Sequence, residues 1–335
     1  MYVALTVFLM RTLPVAIIMG TLIGLIIGQI GYWFGILIVL VLHPLMDQLL
    51  KDLKIEDTPH SLAWMKFQIY LYPILQTVLL ILGAVRFSNE STTNQILILL
   101  STGLVTGGLG ITLAHECIHR SQKLQRAIGV FLLAQVNYCH FRIEHIYGHH
   151  SRIGTLNDPA TARLNESLYQ FLPRTIFMGL RSAWIFETKR AKDKAFYTHR
   201  FLHYFLFQTF WLGLFYYFFH LSGVIFFLLQ SLIAVILLET VNYIEHYGLV
   251  RALQDNGKPM PVESKHSWDS NYTLTNMTLF NLGRHAHHHL NAHAEASKLK
   301  NDSKAQQLPV GYSVALLIAF VPPLWRRVIH PQIRP

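Results

Sequence analysis

Nineteen histidines outnumber the eighteen aspartates and glutamates in this chain. Thirteen of them fall in two windows, 115–150 and 246–293. Their spacings carry more than their number. His115 and His119, in His-Glu-Cys-Ile-His, are four apart, so a helix sets both on one face. His145 and His149 repeat that spacing, and His150 adds an adjacent imidazole. His288 and His289 follow His285 by three and four residues, and His246 stands alone in Asn242-Tyr-Ile-Glu-His-Tyr-Gly-Leu249. Neutral imidazole ligates zinc, copper, iron and nickel. Four ligands satisfy one structural zinc, so nine imidazoles from four segments point to two metals with four or five nitrogens each. Spacing alone does not choose iron over zinc. His-Glu-x-x-His is also a zinc metalloprotease motif, with Glu116 as general base. The other seven histidines argue against that reading, because a protease has no use for them.

The composition says where such a site must be held. Apolar residues make up 52% of the 335 and charged residues only 14%, with a mean hydropathy of +0.33. A soluble domain is about 25% charged, so most of this chain belongs in lipid. Two cysteines, Cys117 and Cys139, exclude a disulfide scaffold and any four-cysteine metal site within the chain; both read as small buried apolar residues. The net charge of +10 sits almost wholly outside the apolar runs and forms no single stripe. That pattern fits basic cytoplasmic loops and not nucleic-acid binding.

A bilayer-spanning helix needs about 20 mostly apolar residues. Six candidates form three hairpins: about 12–30 with 32–50, 62–86 with 94–114, and 202–219 with 222–240. Arg11 interrupts the first apolar run, and no small-residue cleavage site follows it, against a signal peptide. The stretch 117–200 has thirteen Lys and Arg and 241–335 has ten, whereas 87–93 has none. The basic segments therefore lie on one side with both termini, and that side is expected to be cytoplasmic. The expected fold is an all-α integral membrane protein, one domain over 1–335. Its six transmembrane helices form three hairpins under a cytoplasmic, histidine-rich helical cap built from 115–200 and 241–335. The segment 126–141 is too short to span and is expected to lie on or dip into the membrane. Residues 311–330, broken by Pro322-Pro323, are expected to be interfacial. Two redox metals beside a membrane suggest dioxygen activation on a lipid-like substrate.

At its four histidine segments the sequence resembles the membrane-bound alkane 1-monooxygenases (alkane omega-hydroxylases), within the wider fatty-acid desaturase-like superfamily. His115/His119, His145/His149/His150 and His285/His288/His289 match the superfamily's three histidine boxes, and Asn242–Leu249 matches the alkane hydroxylase signature. Further matches are Asn157–Arg163, His266–Asn271 and Leu308–Tyr312. The resemblance implies a non-haem enzyme with two iron ions, in a bacterial inner membrane. It would hydroxylate the terminal carbon of alkanes with O2. Its electrons would come from a separate rubredoxin, reduced in turn by an NAD(P)H-dependent rubredoxin reductase. The ligands it implies are His115, His119, His145, His149, His150, His246, His285, His288 and His289. Glu116, Glu144, Asp158, Glu245 and Asp269 are candidates to orient those ligands, about half of them being expected to do so. Aryl-methyl or fatty-acyl hydroxylases and desaturases share the boxes, and a non-catalytic membrane metal-binding protein is a further alternative.

Two residues depart from the family pattern: His287 stands where the family has Asp, and Gly283 where it has Gln. His43, His60, His140, His199, His203, His220, His266, His293 and His330 read as ordinary histidines, with His140 and His266 the nearest to ligand segments. The aromatic run Phe215–Phe219 reads as an interfacial belt. Lys189-Arg190-Ala-Lys192-Asp-Lys194 reads as headgroup contact, compatible with docking of an acidic electron donor.

Overall fold

The computed structural model describes residues 2–333. Four long helices come first: α1 (Tyr2–Ile27), α2 (Gln29–Leu50), α3 (Pro59–Phe87) and α4 (Thr92–Ile118). α5 (Lys123–Ala134) and α6 (141–152) carry the chain to α7 (Leu168–Ala191), and α8 (Arg200–His246) returns through the bundle. A strand β1 (Trp268–Asp269), α9 (Thr273–Thr278) and α10 (His285–Leu290) follow. β2 (Gln306–Gln307), α11 (Tyr312–Ala319) and α12 (Pro322–Ile329) complete the fold. β1 and β2 pair in parallel, Trp268 opposite Gln306.

Among the described residues five helices, α1–α4 and α8, are long and apolar enough to cross a membrane. α8 runs 47 residues, but as two helical arms, 200–219 and 221–246, that fold back on each other where Trp211 and Phe215 pack on Phe227. Inside it the backbone leaves the helical region at His220 (φ 54°, ψ −151°), beside the turn expected near residues 221–223. Large apolar side chains such as Ile74, Phe205 and Tyr217 face outward, exposed, as in a protein whose surroundings are hydrocarbon.

Local chemistry sets the boundaries. α3 and α7 open on reciprocal caps, Thr58 with Ser61 and Ser167 with Gln170, each pair satisfying otherwise orphaned backbone donors. α1 turns into α2 through Gly28 at φ 82°. There Gly24 and Gly31 approach so closely that a Cβ on Gly24 would lie 2.3 Å from the Gly31 carbonyl oxygen. Only glycine fits such a crossing.

The sequence expectation differs from the structure at the amino end. Arg11 was expected to break the first apolar run; instead it lies inside α1, buried at 1% exposure. Its charge is met in full. Asp57 accepts from Nε and Nη2 at 2.9 and 2.6 Å, Nη1 reaches the carbonyls of Asn276 and Met277, and Nη2 also donates to Asn281. A buried charge is tolerated only when paired in this way. A second difference lies in the cap. Residues 250–263 are almost wholly irregular, because Asp255-Asn-Gly-Lys-Pro-Met-Pro261 breaks any helix. The cap is therefore only partly helical.

Two large hydrophobic clusters, with a small third of Ile36, Leu104 and Leu237, hold the described residues together. The larger fills the long-helix bundle around Tyr72, Leu79, Phe226 and Phe227 and extends to α5. The C-terminal end of α5 is buried between helices. Gln76 donates to the Gln135 side chain at 2.9 Å and Gln230 to its carbonyl at 2.9 Å. The second cluster packs Tyr243 and Tyr247 of the α8 end against Trp268, Tyr312 and Trp325. This clamps the carboxyl-terminal segment beside the histidines.

Candidate metal centre

α4 brings His115 and, as the cap just past its end, His119; α6 brings His145, His149 and His150, the last residue of α8 is His246, and α10 brings His285, His288 and His289. These form two groups, each with ligand atoms within 4.8 Å of one another. One is His115, His119, His145 and His288; the other is His149, His246, His285 and His289. Within the first, the Nε2 atoms of His115 and His145 are 2.8 Å apart. Within the second, the Nε2 atoms of His285 and His246 are 3.0 Å apart, and those of His289 and His285 2.8 Å. His150 lies between, 3.1 Å from the His145 Nε2 atom, its ring against those of His119, His288 and His289.

The assortment departs from the shared face that spacing suggests for His145 and His149. Residues 144–149 form a widened, π-type turn. Its i→i+5 bonding brings position 150 over position 145 and sends His149 to the other group.

The donor set fits a cation. Burial first, then mutual repulsion among the rings, pushes His119, His145, His285, His288 and His289 well below the usual imidazole range. They are neutral and offer lone pairs. Among the described residues the buried Nε2 atoms of His119 and His288 have no hydrogen-bond partner, although both rings belong to the same group. Buried polar atoms without partners are rare, and a metal ion supplies what these lack. The two histidine groups indicate metal binding.

The five carboxylates divide. Asp158 Oδ2 lies 2.8 Å from His149 Nδ1. Burial opposes its charge, but His149 and the Thr161 hydroxyl hold it down at about 2. Glu245 Oε1 lies 3.1 Å from His285 Nδ1 and accepts from the Tyr312 hydroxyl at 2.7 Å. Asp269 touches backbone: it accepts from the Ala286 N–H at 2.7 Å and so fixes the start of α10. Burial raises it to about 7. Glu144 pairs with Arg152 at 2.8 Å, and burial lifts it to about 7 against that partner. Glu116 pairs with Arg120 and accepts from the Ala296 N–H. Neither Glu116 nor Glu144 hydrogen-bonds an imidazole. His287 belongs to neither histidine group.

An apolar cavity of about 100 Å³ reaches the centre. Ile38, Leu104 and Leu237 line it on the bundle side, and His115, His145 and His285 line it at the metal side. It therefore touches both histidine groups. His43, Thr278 and Ser313 also line it, with His43 Nδ1 2.7 Å from the Ser313 hydroxyl and Nε2 3.3 Å from that of Thr278. His43 had read as ordinary. The signal that could have found it is an ionisable residue inside an apolar span. The aromatic run does not line this cavity: Tyr216, Tyr217 and Phe218 face outward and Phe215 packs on Phe227.

Fold and site define a class: a membrane protein whose long helices end at a cage of buried histidines fed by an apolar cavity. The fatty acid desaturase family matches residues 93–309, from α4 through β2. Alkane 1-monooxygenase 2 of Pseudomonas aeruginosa is 36% identical over 316 residues, covering 90% of this chain and 84% of that protein. Alkane 1-monooxygenase 1 of the same organism is 39% identical over 240 residues, and alkane 1-monooxygenase 2 of Alcanivorax borkumensis 38% over 239. Each of those two matches covers 70% of this chain and 63% of the relative. The chain belongs to the alkane 1-monooxygenase family.

Proposed function

We propose that this protein is an alkane 1-monooxygenase. The reaction converts an alkane, O2, two electrons and two protons into a primary alcohol and water. The observation that carries this reading is the apolar cavity, which joins the helical bundle to imidazoles of both histidine groups. A chain of methylenes lying there would present one end to the metal side. The nine histidines would hold two iron ions, five nitrogens facing one and four the other, with His150 completing the first set. Bound iron would supply the one-electron redox chemistry that activates O2.

The chain's own residues do the rest. Asp158 orients His149 through the Nδ1 hydrogen bond, and Glu245, 3.1 Å from His285 Nδ1, faces that ring with its carboxylate. Tyr312 keeps its proton on the hydroxyl that it donates to Glu245. Ile38, Leu104 and Leu237 exclude water from the alkane. With α8 broken at His220, its two arms would each cross the membrane, which would make six spans in three hairpins as one domain over 1–335. Both termini and the histidine cap would face the cytoplasm from a bacterial inner membrane. A separate rubredoxin, reduced by an NAD(P)H-dependent reductase, would deliver electrons.

The test is purified protein loaded with iron, given reduced rubredoxin, its reductase and alkanes of several lengths, with products read by gas chromatography. Primary alcohol is expected. Alkene from acyl substrates, or bound metal without oxygen uptake, would overturn the proposal.

A further inference from the structure

Away from the histidines, an open groove of about 590 Å³ lies between α5, α6 and α8. Lys123, Arg126 and Arg142 line it together with Ala127, Val130, Phe131 and Phe207. The seven residues comprise three cations, four apolar side chains and no acid. Among the described residues none of the three cations forms a salt bridge, unlike Arg11, Arg120, Arg152, Arg174, Arg190 and Arg200. Arg142 is fixed by the Tyr204 hydroxyl, and its buried Nε has no partner. Arg126 is anchored on the Arg120 carbonyl at 3.0 Å. The apolar wall is built: Phe131 packs on Trp211 with centroids 5.6 Å apart and on Phe207 at 6.4 Å. Leu124, Phe205, Leu206 and Phe210 stand exposed on the same helices.

We propose that this groove binds one anionic phospholipid, its phosphate held by Lys123, Arg126 and Arg142 and its acyl chains lying along Val130, Phe131 and Phe207. Charge and position both support this occupant. Phe207 lies seven residues into α8 (a helix apolar enough to cross the membrane), so the groove sits where that helix meets the polar side. Basic pockets between transmembrane helices at that level recognise anionic headgroups. A soluble anion would need the cations but not the apolar wall, and a neutral lipid would need the wall but not the cations. Arg142 precedes His145 by three residues, so a lipid held here would steady the helix that carries the second histidine box.

The experiment uses the full chain in a neutral detergent, titrated with phosphatidylglycerol, phosphatidylcholine or inorganic phosphate, with native mass spectrometry and thermal unfolding as readouts. One phosphatidylglycerol is expected to remain bound and raise the melting temperature. Phosphatidylcholine should be retained about tenfold less, and phosphate alone should give no shift. The double variant Lys123→Gln, Arg126→Gln should lose the preference, whereas Lys189→Gln, Lys192→Gln should keep it. Val130→Trp, which fills the apolar wall without touching charge, should also weaken retention and guards against misfolding of the charge variant. Equal retention of both lipids by the wild type, a shift with phosphate alone, or unchanged preference in both groove variants would overturn the proposal.

Discussion

His145 and His150 are five positions apart, yet their Nε2 atoms approach to 3.1 Å. On an ordinary α-helix such residues point about 140° apart. The widened turn over Glu144–His149 closes that angle and supplies the first histidine group with a fifth neighbour. Gly148 lies inside the turn, where a Cβ would fall 2.3 Å from Glu144 Oε2 and 2.6 Å from its Cδ. Glu144 cannot swing away without leaving Arg152. Gly148→Ala is therefore expected to cost about 1–3 kcal/mol and to reduce bound metal by roughly half or more, read by metal analysis and thermal unfolding of the same preparation.

Asp158 fixes the ring of His149 through Nδ1. Asp158→Asn keeps an acceptor oxygen but loses the charge that anchors the imidazole. Carboxylates in this position are worth about 10–100-fold in metal affinity or activity. Metal retained after dialysis against a chelator should fall by that order, with circular dichroism unchanged; full retention would remove Asp158 from the site.

Gly107 and Gly108 are neighbours on α4 and both line the cavity, but their surroundings differ. A Cβ at Gly108 meets nothing closer than the Leu237 Cδ2 atom at 3.6 Å, whereas one at Gly107 would sit 2.7 Å from the Ala234 Cα. Gly108→Val should fold and narrow the cavity, shifting the alcohols formed toward those of shorter alkanes in a chain-length competition. Gly107→Val should push α4 and α8 apart and lower the melting temperature. Opposite results would misplace the substrate channel.

Glu187, wholly buried, receives Arg190 and Arg200, with the Arg200 backbone N–H at 2.7 Å. Burial opposes its charge, but these donors hold it down at about 2. A carboxylate with a depressed pKa stabilises the fold above its ordinary value, near 4.5, and loses that contribution as pH falls toward 2. Glu187→Gln should destabilise the entry to α8 by about 2 kcal/mol at neutral pH. It should also flatten the acid limb of the stability curve between about pH 4.5 and 2, followed by tryptophan fluorescence.

Much of this protein could be read from residue order alone. Long apolar runs locate the spans, because a hydrocarbon layer demands about 20 apolar residues wherever it is crossed. Histidines at three- and four-residue intervals mark the metal-side segments, because helical periodicity is local. What tertiary structure decided is how those histidines sort. His288 and His289 are adjacent yet serve different groups, and His145 and His149 share a spacing yet separate. The choice depends on which helix faces each ring and on a turn widened within a packed bundle. Arg11 shows the same limit. In sequence it is a charge interrupting an apolar run; in space Asn281, 270 residues away, completes its shell. Contacts over such separations arise from packing of whole helices, and no local pattern encodes them.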